Sequence, residues 1–130
     1  MEIGIIGLGF VGSALEKSFR QNNISLQVYD KYKSIGSIDL IYKTDIVFLC
    51  LPTLYKDNSY DLSSIHEICS LLNNSYKGLV VIKSTVEPLT TVNLNKEIYT
   101  AWVYWYNGDT NGLPQLASGD VMQYLHEKNK

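Results

Sequence analysis

The segment Gly7-Leu8-Gly9-Phe10-Val11-Gly12 fits the pattern G-x-G-x-x-G. Glycines at this spacing suit a phosphate cradle. The first permits a tight turn, the second lets the backbone approach a pyrophosphate with no Cβ in the way, and the third lets a helix pack close to the sheet. The anion then meets free N–H groups at the positive end of that helix. Glycines cluster in many turns, so the pattern alone is weak. It gains force from a strand before it, a helix after it and an acid about 20 residues on.

All three are present. Ile3 to Ile6 is a short apolar run that ends at the glycines, as a buried strand does. After Gly12 the positions Val11, Ala14, Leu15, Ser18 and Phe19 keep helical spacing, with Glu16, Lys17 and Arg20 on the other side. Leu26 to Tyr29 then alternates like a strand and stops at Asp30, 23 positions after Gly7. A carboxylate there suits the 2′- and 3′-hydroxyls of an adenosine ribose and opposes a 2′-phosphate, which favours NAD over NADP. Lys31 and Lys33 soften that preference. The plainer alternative is a glycine turn followed by a solvated strand-end acid, and the context weighs against it.

The remaining chain supplies elements of the same kind. Asp45 to Leu51 reads as a fully buried strand stopped by Pro52, followed by a polar loop from Thr53 to Tyr60. Asp61 is the expected N-cap of a helix over Leu62 to Leu72, and Leu79 to Ile82 is another buried strand. Pro88 opens an expected helix to about Glu97, although Thr, Val and Asn form helices poorly. Ile98 to Tyr106 reads as an aromatic-rich strand, and Asp120 to Lys128 as a last helix capped by Ser118. Ile38 to Tyr42 is open between short helix and short strand. The expected fold class is α/β, a Rossmann-like, doubly wound, mainly parallel sheet with helices on both faces. Residues 1–106 form the expected NAD(P)-binding domain, and 107–130 a divergent C-terminal extension.

Composition narrows the function. The chain has 130 residues, enough for one domain with a real core. It is 45% hydrophobic and 18% charged, with a net charge of −2, so no basic surface for nucleic acid or anionic membrane is indicated. The longest apolar run, Ile46 to Leu51, is far short of a membrane span, and Glu2 with the early glycines does not suit a secretory signal. A cytoplasmic protein with both cysteines, Cys50 and Cys69, reduced is the expectation. Neither has metal-ligand spacing, and His66 and His126 are isolated, so no metal site is expected.

Four stretches, "IGIIGLGFVGSAL", "VYDK", "DIVFLCLPT" and "GLVVIKSTVEPLTT", together resemble the NAD-binding N-terminal domain of the UDP-glucose/GDP-mannose dehydrogenases. They run in that family's order and cover roughly residues 2 to 97, and "KSTV" after an apolar strand is the most specific of them. The resemblance implies that Gly7, Leu8, Gly9, Phe10, Val11 and Gly12 bind the pyrophosphate. It implies that Asp30, with Lys31 beside it, meets the adenosine ribose. Leu51, Pro52 and Thr53 would line the cofactor groove. Ser84, Thr85 and Val86 would lie near the nicotinamide, with Thr85 placed to touch substrate or an activated water. The family's reaction oxidises a sugar C6 alcohol of a UDP-sugar or similar nucleotide to a carboxylate, using two NAD and a thiohemiacetal on a catalytic cysteine.

The departures are as informative. After Glu97 the sequence "IYTAWVYWYNGDTNGLPQLASGDVMQYLHEKNK" matches nothing of the family's substrate domain or its nucleophile. Leu89 stands where the family usually has Gly, and the 13 residues from Lys31 to Lys43 are fewer than usual there. Cys50 lies mid-strand and Cys69 on the apolar stripe of a helix, neither suited to a reactive thiolate. The expectation is therefore an NAD-binding domain without the family's nucleophile, either truncated relative to the full enzyme or served by a separate catalytic partner. A non-catalytic interaction or regulatory module on the same scaffold, with a homo-oligomer or partner surface at the aromatic stretch, is the alternative. A small dehydrogenase using another catalytic residue ranks last.

Overall fold

The computed structural model describes residues 1–73, 75–87, 89, 90, 94 and 101–103. The chain alternates strand and helix from its start: β1 (Ile3–Ile6), α1 (Phe10–Gln21), β2 (Leu26–Tyr29), α2 (Ile38–Ile41) and β3 (Ile46–Leu49). A hairpin follows, β4 (Tyr55–Lys56) with β5 (Ser59–Tyr60), then α3 (Ser63–Leu72), β6 (Leu79–Ile82) and β7 (Ala101–Val103). Five strands form one sheet in the order β2-β1-β3-β6-β7, every pair parallel. The expected α/β, Rossmann-like, mainly parallel sheet is the observed fold.

Register explains why the central strands are apolar throughout. Gly4, Val47 and Val80 stand side by side, as do Ile6, Leu49 and Ile82, while Ile46–Leu79 and Phe48–Val81 form the rows between them. Successive residues face opposite sides of a sheet. The first set joins Ile41 of α2 and Ile65, Ile68, Cys69 and Leu72 of α3 in the larger core. Ile46, Leu79, Val81 and Phe48 form a second cluster. Phe19 of α1 reaches Phe48 there, ring centroids 5.6 Å apart. Both faces are therefore apolar, and each fully buried Leu or Ile contributes roughly 1.5–3 kcal/mol.

Several expectations change at this level. α1 begins at Phe10, so Gly12 lies inside its first turn and not before it. The segment left open at Ile38 is a single helical turn, capped by Ser37, whose side chain accepts from the N–H of Asp39. α3 begins at Ser63 with Leu62 as its N-cap, one residue later than expected. Asp61 still serves the helix start, its carboxylate accepting from the N–H of Ser63 at 3.0 Å. The loop 53–60 contains the β4–β5 hairpin, because Asp57 and Asn58 both adopt positive φ and close a two-residue turn. β7 falls within the expected strand 98–106, and the rest of that segment lies outside the described residues. So do most of the helix expected at 88–97 and all of 104–130, including His126. Among the described residues no helix is long and apolar enough to cross a membrane. None of their His, Cys, Asp and Glu side chains form a group that could hold a metal.

Candidate functional site

The chain leaves β1 toward β2 on one side, then crosses back over β1 to place β3 on the other. This reversal opens a crevice at the carboxyl ends of β1 and β3, where ligands of open α/β sheets bind. A cleft of about 440 Å³ lies there. That volume is within the range of small-molecule sites. Its walls come from the glycine loop, the end of β2, the turn after β3, one side of α3 and the end of β6.

The three loop glycines are required for different reasons. Gly7 has φ +95°, and a Cβ on it would lie 2.4 Å from the carbonyl oxygen of Cys50, so the turn from β1 into α1, packed against the chain leaving β3, admits no side chain at this position. A Cβ on Gly12 would lie 1.8 Å from the carbonyl oxygen of Gly7, so α1 can start this close to the sheet only with glycine. Gly9 differs. Its φ is −76°, and a Cβ there would meet nothing within 4 Å. The fold itself does not call for glycine at 9; the open space of the cleft lies beside it. Gly9 is also the N-cap of α1, with no side-chain cap, so the helix presents its first N–H groups without a side-chain acceptor.

Asp30 fixes this loop to β2. It is 8% exposed, and its Oδ2 accepts from the N–H of Leu8 at 2.8 Å. Its Oδ1 accepts from the N–H groups of Tyr32 and Lys33, each at 3.0 Å. Lys33 Nζ and Ser13 Oγ both donate to the carbonyl of Leu8. Burial pushes the Asp30 carboxyl up, but the three N–H donors and the Lys33 charge more than offset it, so its pKa lies below the ordinary value. Three of the roughly four acceptor positions of a carboxylate are thus taken, leaving about one for a ligand.

The opposite wall is tied by Ser84. Its hydroxyl accepts from the N–H of Leu51 at 2.9 Å and donates to the Leu51 carbonyl at 2.7 Å. Thr53 Oγ1 donates to the carbonyl of Thr85, and the N–H of Tyr60 donates to Glu87 Oε1, which anchors the β4–β5 hairpin to the segment after β6. Cys50 lines the cleft, where burial pushes its thiol up to about 11 and the Lys83 charge acts in the opposite sense. Lys83 is shifted down by the same burial, with Cys50 acting in the opposite sense.

Of the residues expected at the site, Gly7, Leu8, Gly9, Phe10, Val11, Asp30, Lys31, Leu51, Pro52 and Ser84 line this one cleft. Gly12 is buried beneath the loop, Val86 belongs to the core, and Thr53 and Thr85 lie beyond the cleft wall. Ser64, Glu67 and Ile68 of α3 also line it, and sequence reasoning missed them. Glu67 Oε1 pairs with Lys31 Nζ at 2.9 Å from the other side of the cleft. Spacing on α3 placed Ile68 on the apolar stripe, but nothing local linked that stripe to a site 36 residues earlier.

No protein-family model matches the chain, and no curated protein matches it in sequence. Solved structures do match. The UDP-D-ManNAc dehydrogenase of Pyrococcus horikoshii superposes with a TM-score of 0.68 at 16% identity, over 93% of this chain and 39% of that one. The UDP-N-acetyl-mannosamine dehydrogenase Cap5O of Staphylococcus aureus superposes with a TM-score of 0.64 at 16% identity, over 96% and 40%. The chain thus spans about two fifths of the length of these structures. The likeness expected from the sequence is met at the level of fold: the chain has the Rossmann-like architecture found in UDP-N-acetylmannosamine dehydrogenases.

Proposed function

We propose that the chain binds NAD in this cleft and is the cofactor-binding domain of a nucleotide-sugar dehydrogenase acting on a UDP-sugar. The observation that carries the cofactor reading is Gly9. It is the loop glycine that the protein's own packing does not require, and a close ligand accounts for it. The N–H groups at the start of α1 would hold the pyrophosphate. Asp30 would give its remaining acceptor position to the adenosine ribose, and Leu51, Pro52 and Ser84 would border the nicotinamide half. NAD, when bound, supplies the acceptor for a hydride.

The UDP-sugar part rests on the "KSTV" and "DIVFLCLPT" stretches and on the fold shared with proteins named for a UDP-sugar substrate. The motifs favour an oxidation at C6 of the UDP-glucose or GDP-mannose type. Burial and a raised thiol pKa argue against Cys50 as nucleophile, and Cys69 is 2% exposed. We therefore assign cofactor binding to this chain and the covalent step to a separate segment or partner. Exposed Phe10, Leu54 and Leu89 favour a second reading, an interaction module on the same scaffold.

Calorimetric titration with NAD tests the proposal. Saturable one-site binding is expected. Absence of heat and of any thermal stabilisation by NAD would overturn it and bring the interaction module forward.

A further inference from the structure

Four charged side chains, Asp30, Lys31, Lys33 and Glu67, gather at the end of the cleft beside β2, and two of them are cations. Lys33 Nζ donates to the Leu8 carbonyl, and its charge faces Asp30. Lys31, next to Asp30 in the chain, turns to α3 instead, where its Nζ meets Glu67 Oε1 at 2.9 Å. Both members of this pair line the cleft. Their side chains are 57% and 48% exposed, so the pair adds little to folding stability. Its consequence is electrostatic and local. A cation beside the β2 acid is what lets a site of this kind take a 2′-phosphate. Glu67 neutralises that cation and sets a second carboxylate against a dianion.

We propose that Glu67, by pairing with Lys31 across the mouth of the cleft, is a specificity-determining residue that turns the site away from a 2′-phosphorylated dinucleotide. Asp30 opposes a 2′-phosphate on its own account, since its three N–H donors leave its charge in place. Glu67 adds a second carboxylate and takes up the cation that could offset Asp30. The inference rests on the NAD reading given above and adds a residue to it from an element that the glycine-loop pattern does not include.

The test is the ratio of dissociation constants, NADP over NAD, for the wild-type chain, Glu67→Gln and the double variant Lys31→Met/Glu67→Gln. Both positions are solvent-facing, and thermal unfolding of each variant checks that it is folded. Glu67→Gln is expected to lower the ratio roughly two- to tenfold at low ionic strength, the scale of an exposed ion pair plus one removed repulsion. The gain should vanish in the double variant and shrink at about 0.5 M salt, where the screening length is only a few ångströms. A ratio that Glu67→Gln leaves unmoved would overturn the role of Glu67, and a gain that survives loss of Lys31 would overturn its action through that pair; either result leaves NAD binding intact. Failure of the wild-type chain to bind either dinucleotide would overturn the NAD reading and this inference with it.

Discussion

The N–H of Leu8 donates to Oδ2 of Asp30 at 2.8 Å, a buried bond that joins the glycine loop to the end of β2 across 22 residues. Asp30 is therefore part of the loop's framework as well as the expected ribose ligand. Asp30→Ala strands the N–H of Leu8 and loosens two more, so a loss of about 2 kcal/mol or more in unfolding free energy is expected from urea denaturation. The pH dependence follows from the lowered pKa. The carboxylate's contribution is fully present above the ordinary value of 3.8 and is lost as pH falls through the lower folded value. The stability gap between wild type and Asp30→Asn should accordingly narrow below about pH 4. A gap that is constant down to acid unfolding would place the stabilisation elsewhere.

Leu89 adopts φ +70° and is 69% exposed, at the position where the resembling family usually has Gly. A left-handed conformation costs a residue with a Cβ roughly 1–2 kcal/mol, and little burial is lost on removing this side chain. Leu89→Gly is expected to raise stability by about 0.5–1 kcal/mol after the extra chain entropy of glycine is counted. A lowered melting temperature would show that the exposed leucine has a packing partner.

Cys50 should be slow to alkylate. With its thiol pushed up to about 11, the thiolate fraction at pH 8 is below that of an ordinary cysteine by roughly two orders of magnitude. Peptide mapping after iodoacetamide at that pH should find Cys50 labelled roughly tenfold or more slower than a free thiol, because the higher intrinsic nucleophilicity of a high-pKa thiolate recovers only part of the loss. Rapid labelling would mean the cleft opens to solvent at Cys50.

The glycine loop, Asp30 and the buried strands were legible in the sequence because each is a local pattern. Gly7 answers a positive φ and Gly12 a close helix start. The runs at 46–49 and 79–82 are apolar because both sheet faces are covered. The hairpin was hidden by polarity: Asp57 and Asn58 look like loop residues, and only the flanking Tyr55 and Tyr60, which stack edge-on at 5.1 Å, mark paired strands. Ser84 gave a motif match but not its role, since its tie to Leu51 depends on two strands meeting at β3 and β6. Glu67 was invisible for the same reason, as an ordinary exposed helix acid until folding carries it to Lys31.

The contrast between two glycines tests the central claim most directly. Thermal unfolding and NAD titration would be run together on the wild-type chain, Gly9→Ala and Gly12→Ala. A Cβ at 12 collides with Gly7, so Gly12→Ala should lose about 3 kcal/mol or more. A Cβ at 9 enters open space, so Gly9→Ala should unfold within about 1 kcal/mol of wild type while NAD affinity falls roughly tenfold or more. Gly9→Ala that stays folded and binds NAD as tightly as wild type would contradict the account, because the open space beside Gly9 would then not be where the dinucleotide lies.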